Sequence, residues 1–179
     1  LVQMGIEEVR LTGGEPTLRN ELLEITERLS ALPLRSIGLT TNGLHLSRLA
    51  KDLKKAGLNG VNVSLDGMSE KRFTHIARRS GFHEVVKGID AALDAGLKVK
   101  INTVLMKQNF DDVPDFLKFA EERSIEIRFL ELMKIGVALD FFEDQFVPAK
   151  ELLHHLKKNY QLEQIPTPED STAFKYCLN

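Results

Sequence analysis

Two hydrophobic periods alternate along most of this chain. Short stretches with an apolar residue at every second position give way to longer ones with apolar residues at helical spacing. Strands are predicted at residues 8–12, 36–40, 60–65, 97–105 and 125–131, and helices at 18–32, 45–56, 69–76, 82–95 and 112–122. A loop is expected over 108–111. Past Met133 the rhythm fails: 134–147 reads as a loop carrying Phe141, Phe142 and Phe146, then a helix over 148–160, a polar stretch over 165–171 and a last strand over 174–179. Strand and helix in alternation with short links predict a parallel sheet with helices packed outside it. Met4-Gly5-Ile6, Ala56-Gly57-Leu58 and Ala95-Gly96-Leu97 repeat one join, a glycine-capped helix end running into a strand. Right-handed crossovers wind such units into a barrel or an open sheet, and periodicity alone does not choose.

The polar faces of the strands change the picture. Glu8, Arg10 and Thr12 fall on one face of the first strand, Asn62, Ser64 and Asp66 on one face of the third, and Lys100 and Asn102 on one face of the fourth. The opposite faces, Val9/Leu11, Val61/Val63/Leu65 and Val99/Ile101, suit contact with helices. A filled barrel interior wants Val, Ile and Leu. Burying Arg10 and Lys100 without partners would cost several kcal/mol or more each. A wide, wet lumen holding an anionic, hydrogen-bonding ligand removes the difficulty. The alternative is a structural network in which Arg10 and Lys100 pair with Glu8 or Asp66. Thr41-Asn42-Gly43 and Asp66-Gly67 are by themselves ordinary turns. Gly13-Gly14, between the first strand and Pro16, permits positive φ and close approach of a ligand to the main chain.

Composition narrows the class. The 179 residues carry 24 Lys+Arg against 26 Asp+Glu, a net charge of −2, which gives no reason to propose a nucleic-acid or membrane partner. No apolar run is long enough to span a bilayer and no signal segment opens the chain, so a cytoplasmic protein is expected. The single cysteine, Cys177, excludes an internal disulfide framework. Leu1 to Gly5 resembles the last turn of a helix with no beginning, and the final strand reads as cut mid-course. A piece of a longer chain is therefore expected.

LTGGEP (Leu11 to Pro16), TTNG (Thr40 to Gly43), NVSLDG (Asn62 to Gly67), VKINTV (Val99 to Val104) and EIRFLELM (Glu126 to Met133) occur in the order and spacing of radical S-adenosylmethionine enzymes. More narrowly they resemble the GTP 3′,8-cyclase family of molybdenum cofactor biosynthesis. That resemblance implies an α/β fold, a partial (β/α)₆ TIM-like barrel with its first βα unit missing, over residues 1–133, and the start of a C-terminal extension over 134–179. It implies that Gly14, Ser64 and Met133 meet S-adenosylmethionine and that Arg10, Thr41 and Lys100 hold GTP, with Arg128 assisting the cofactor. A 5′-deoxyadenosyl radical would take the 3′ hydrogen of GTP, after which the ribose carbon attacks C8 of the guanine. The family's two 4Fe–4S clusters, fed by an electron donor, need cysteines that this chain lacks, so the chain as it stands is expected to be inactive. A homodimer is left open. Two rivals remain: another radical S-adenosylmethionine enzyme with a different substrate, and a non-catalytic nucleotide-binding domain.

Overall fold

Five strands form a single parallel sheet in chain order, β1 (Glu8–Leu11), β2 (Ser36–Thr41), β3 (Gly60–Ser64), β4 (Lys98–Leu105) and β5 (Glu126–Glu131). The computed structural model describes residues 4–167 and 173–178. Helices α1 (Leu22–Ser30), α2 (Leu46–Lys55), α3 (Glu70–Ala77), α4 (Phe82–Asp94) and α5 (Val113–Arg123) fill the crossovers between strands. β1 and β5 are the sheet's edges and pair with no further strand among the described residues. The sheet is thus an open, partial barrel.

The main core lies on the helical side of the sheet. Leu39, Val61, Val63 and Ile101 point from β2, β3 and β4 into a cluster with Leu46, Leu53, Val85, Ile89 and Phe116, all close to fully buried. Because side chains alternate along a strand, the residues between them must face the other way. The helical stripes of α2, α4 and α5 are apolar at the same spacing that the sequence displays, so these elements form where the pattern puts them.

Several boundaries differ from expectation, each for a local reason. The first helix starts at Leu22, since Pro16–Leu18 forms a separate 3₁₀ turn whose Thr17 N–H is capped by the Glu15 carboxylate. The expected loop at 108–111 is a 3₁₀ turn, Lys107–Asp112, pinned by Asn109, whose side chain is fully buried. Its amide donates to the carbonyls of Asp66 (2.9 Å) and Val104 (2.9 Å) and accepts from Met106 N–H (2.8 Å). Within 134–147 lie a 3₁₀ turn (Gly136–Asp140) and the short α6 (Phe142–Gln145), where Phe142 stacks on Phe146 with ring centroids 4.8 Å apart. α7 (Ala149–Asn159) buries Leu152 and Leu156 against Leu105 and Val113. A strand that the sequence reading missed, β6 (Leu162–Ile165), pairs antiparallel with β7 (Lys175–Leu178) to form a second, two-stranded sheet. The helical turn expected at 1–5 and the polar stretch at 165–171 lie partly outside the described residues.

Candidate functional site

Rows of registered residues build the face opposite the core. Thr40, Asn62, Lys100 and Glu126 stand side by side across β2 to β5. The row towards the carboxyl ends holds Ser64, Asn102 and Arg128, and the row behind holds Arg10, Gly38, Gly60 and Lys98. Arg10, Ser64 and Lys100 therefore share one side of the sheet. Arg10 and Ser64 are exposed and Lys100 is half-buried, so the face is open to solvent. Arg10 and Lys100 are three strand spacings apart, about 14 Å between backbones.

The charges on this face are unequal. Lys100 Nζ donates to Glu126 Oε1 at 3.0 Å, Arg128 Nε donates to the same oxygen at 2.8 Å, and Lys175 Nζ of β7 reaches Glu126 Oε2 at 3.2 Å. Burial raises the Glu126 carboxyl's pKa, but hydrogen bonds from Arg128, Lys100 and Lys175 outweigh it and bring it down to about 2. Three cations thus converge on one carboxylate and keep it ionised. The partner of Lys100 is Glu126 rather than Glu8 or Asp66. Glu8 binds Arg35 at 2.8 Å, and Arg10 makes no hydrogen bond or ion pair among the described residues. Asp66 leaves the face: its carboxylate accepts Val104 N–H at 2.7 Å, and burial raises its pKa despite that hydrogen bond.

Alternation keeps the Thr41 side chain off the polar face. Thr40 carries the polar-face position, whereas the Thr41 side chain is 2% exposed and turned the other way. Its hydroxyl donates to Glu15 Oε1 at 2.7 Å and accepts Gly43 N–H at 3.1 Å, so it holds the loop at the end of β2. Glu15 is the centre of that joint, since Asn42 N–H also donates to it at 2.8 Å. Burial raises its pKa, but hydrogen bonds from Thr17, Asn42 and Thr41 leave the carboxyl below the ordinary glutamate range. The clamp fixes the glycine loop from behind. Gly13 has φ +148°, and no atom lies within 4 Å of where a Cβ on Gly13 or Gly14 would sit, so the main chain there is bare on its outer side. Met133 follows β5 past buried Leu132 and is 66% exposed. Gly14, Ser64 and Met133 thus all lie at or beyond the carboxyl ends of their strands.

One atom on this side asks for a partner. Asn102 Oδ1 is buried with no hydrogen bond among the described residues, in register with Ser64, and an unpaired buried acceptor costs about 1–3 kcal/mol. A ligand hydroxyl or ammonium would satisfy it. Glu15, Glu126 and Lys175 were not picked out from the sequence. Glu126 shares strand parity with Arg128 and could have been found that way, but Lys175 reaches the face only through the β6–β7 hairpin.

An open parallel sheet with its polar residues gathered towards the carboxyl ends of the strands is the architecture of a ligand-binding α/β barrel. Residues 1–120 match the Radical SAM superfamily, and the chain belongs to that superfamily. It is 41% identical to a GTP 3′,8-cyclase of Synechocystis over 100% of its own length and 55% of that protein. It is likewise 41% identical to human molybdenum cofactor biosynthesis protein 1 over 96% of its length and 28% of that protein. The chain thus spans about half of the bacterial relative and less than a third of the human one. Among solved structures it shares its fold with Streptococcus suis SuiB bound to S-adenosylmethionine (TM-score 0.62, 19% identity, 84% of this chain and 35% of that one). It also shares the fold of coproporphyrinogen III oxidase from Escherichia coli (TM-score 0.59, 16% identity, 87% and 41%).

Proposed function

We propose that this chain is the nucleotide- and cofactor-binding part of a GTP 3′,8-cyclase, the enzyme that opens molybdenum cofactor biosynthesis. The observation that carries this reading is the open face on which Arg10 has no ion pair among the described residues and Lys100, Arg128 and Lys175 share the carboxylate of Glu126. A face with that surplus of donors suits a polyanion. The identity to the Synechocystis cyclase over the whole chain makes GTP the polyanion of choice. Arg10 and Lys100 hold its triphosphate from two sides. Thr41 enters this site through its loop and not through its hydroxyl.

The carboxyl end of the sheet fits S-adenosylmethionine. Bare main chain at Gly13 and Gly14 faces the amino-acid part, Ser64 and the unpaired Asn102 Oδ1 offer hydrogen bonds to polar groups, and exposed Met133 lies against the base. S-adenosylmethionine supplies the radical chemistry when bound. The chain's residues set distance and orientation between the two ligands and keep water from the space between them. An iron–sulfur cluster does not fit this chain: among the described residues no three His, Cys, Asp or Glu side chains are grouped as metal ligands, and Cys177 is exposed. The reading divides the chain into a barrel part, 1–133, and the start of an extension, 134–179. It carries with it an external electron donor and a cytoplasmic location. Among the described residues no helix is long and apolar enough to cross a membrane.

The test is an anaerobic assay of the full-length protein for 5′-deoxyadenosine and the cyclised nucleotide. Both products are expected from GTP. Turnover of a peptide or a sugar with none from GTP overturns the reading in favour of another enzyme of the superfamily. In the same protein Lys100→Ala should weaken GTP binding roughly ten- to hundredfold, the worth of one charge-assisted contact, with S-adenosylmethionine binding nearly unchanged. Equal GTP affinity in wild type and variant removes Lys100 from the site.

A further inference from the structure

Gly38 sits inside β2, in register between Arg10 of β1 and Gly60 of β3. Its backbone has no left-handed φ, so its conformation does not require glycine. Glycine weakens a strand interior and is retained where something must come close to the backbone. Here that something is a single group. A Cβ on Gly38 would lie 2.8 Å from Arg10 Nη1, 2.9 Å from Cζ and 3.1 Å from Nη2, and these are its three nearest atoms. The neighbouring Gly60 differs: its Cβ would strike the Lys98 carbonyl oxygen at 2.7 Å, a backbone atom that holds the sheet together. Gly60 is needed by the fold. At Gly38 the nearest atoms instead belong to the guanidinium lying across it, the far end of a flexible side chain.

We propose that Gly38 is a positioning residue for nucleotide binding: the missing side chain forms a flat bed on β2 that holds the Arg10 guanidinium down against the sheet and aimed at the triphosphate. Arg10 has no ion pair or hydrogen bond among the described residues that could do this instead. Its five N–H donors are therefore left for the ligand while contact with β2 limits where they can point. Adding one methyl group requires a carbon–nitrogen separation of about 3.5–4.0 Å, which lifts the guanidinium by roughly 1 Å. The ligand then meets a displaced cation. The fold does not suffer, because only the far end of a flexible side chain must move.

This inference rests on the reading that Arg10 binds GTP, and a double-mutant cycle separates the two. Gly38→Ala, Arg10→Ala and the double variant are made in the full-length protein, and GTP and S-adenosylmethionine binding are measured by calorimetry alongside the melting temperature. Gly38→Ala should weaken GTP at least tenfold, leave S-adenosylmethionine within twofold, and melt at or above the wild-type temperature. In the Arg10→Ala background it should have no further effect on GTP. Arg10→Ala binding GTP like wild type overturns the reading of Arg10 itself. Arg10→Ala weakened, with Gly38→Ala either harmless or equally damaging in both backgrounds, overturns the role of Gly38 alone. A melting temperature lowered by several degrees in Gly38→Ala also overturns it, by making the glycine structural.

Discussion

Lys100 and Ile101 are consecutive residues of β4, yet they belong to different regions of the molecule. Ile101 is fully buried among Val63, Val85 and Phe116 on the helical side, while Lys100 stands half-buried on the other side with Glu126 as its partner. The helical side is apolar, with Leu39, Val61, Val63 and Ile101 at 0–1% exposure. The opposite side presents Arg10, Asn62, Lys100, Asn102 and Arg128. A single sheet is thus divided into a surface that holds the protein together and a surface that stability alone would not choose. Net stability comes from the first, because removing apolar area from water is the dominant favourable term. The second gathers Lys100 and Arg128 on the shared carboxylate of Glu126 and leaves Asn102 Oδ1 without a hydrogen bond among the described residues, an arrangement that breaks the rules a stable core follows.

The division can be broken most directly at Ile101. Ile101→Ala leaves a cavity in the tightest part of the core and should destabilise the intact protein by about 3 kcal/mol, read from urea denaturation. GTP affinity per folded molecule should not change. Lys100→Ala, one residue away, should do the reverse, with little change in the urea midpoint. If Ile101→Ala altered nucleotide affinity without loss of stability, the two faces would not be separate functions of one strand.

A smaller effect is expected where the two sides meet. Asn109 is fully buried and ties the ends of β3 and β4 through Asp66 and Val104. Asn109→Ala leaves two carbonyls and the Met106 N–H without their partner, a loss of about 2 kcal/mol. Urea denaturation of the intact protein checks the magnitude. A loss below about 0.5 kcal/mol would mean that water replaces the side chain and that the joint is not dry.

The division was visible in the sequence because it is written in period 2. Alternation puts Arg10, the pair Asn62 and Ser64, and the pair Lys100 and Asn102 each on the polar face of its own strand, the parallel register joins the three faces, and only Asp66 turns away from the expected set. What stayed hidden depends on partners far along the chain. Thr41 stands at the end of β2, but its side chain faces Glu15, a bond spanning 26 residues that no local pattern announces. β6 was missed because Leu162–Ile165 is short and mostly exposed, and its identity as a strand comes from pairing with β7. Gly38 reads in sequence as a weak point in a strand. Only the guanidinium lying over it explains the residue.

Glu126 gives the sharpest test of the polar face, although its effect is the smallest. Its folded pKa, about 2, lies below the ordinary glutamate value of 4.5, since Arg128, Lys100 and Lys175 favour the charged form against the opposing effect of burial. A depressed carboxyl stabilises the folded state fully above pH 4.5, and that contribution is lost as pH falls from about 4.5 towards 2, where the unfolded chain takes up the proton first. Because Arg128 and Lys175 are both partly exposed, solvent screening reduces the contribution to about 1 kcal/mol. Glu126→Gln keeps the shape and removes the titration. The stability gap between wild type and variant should therefore be largest near pH 6 and should close progressively below pH 4.5. Lys175→Met should narrow that gap, because it withdraws the one cation supplied from β7. A gap that is constant from pH 6 to pH 2.5 would mean that Glu126 acts through packing, and the three cations would then be held on this face by something other than their shared carboxylate.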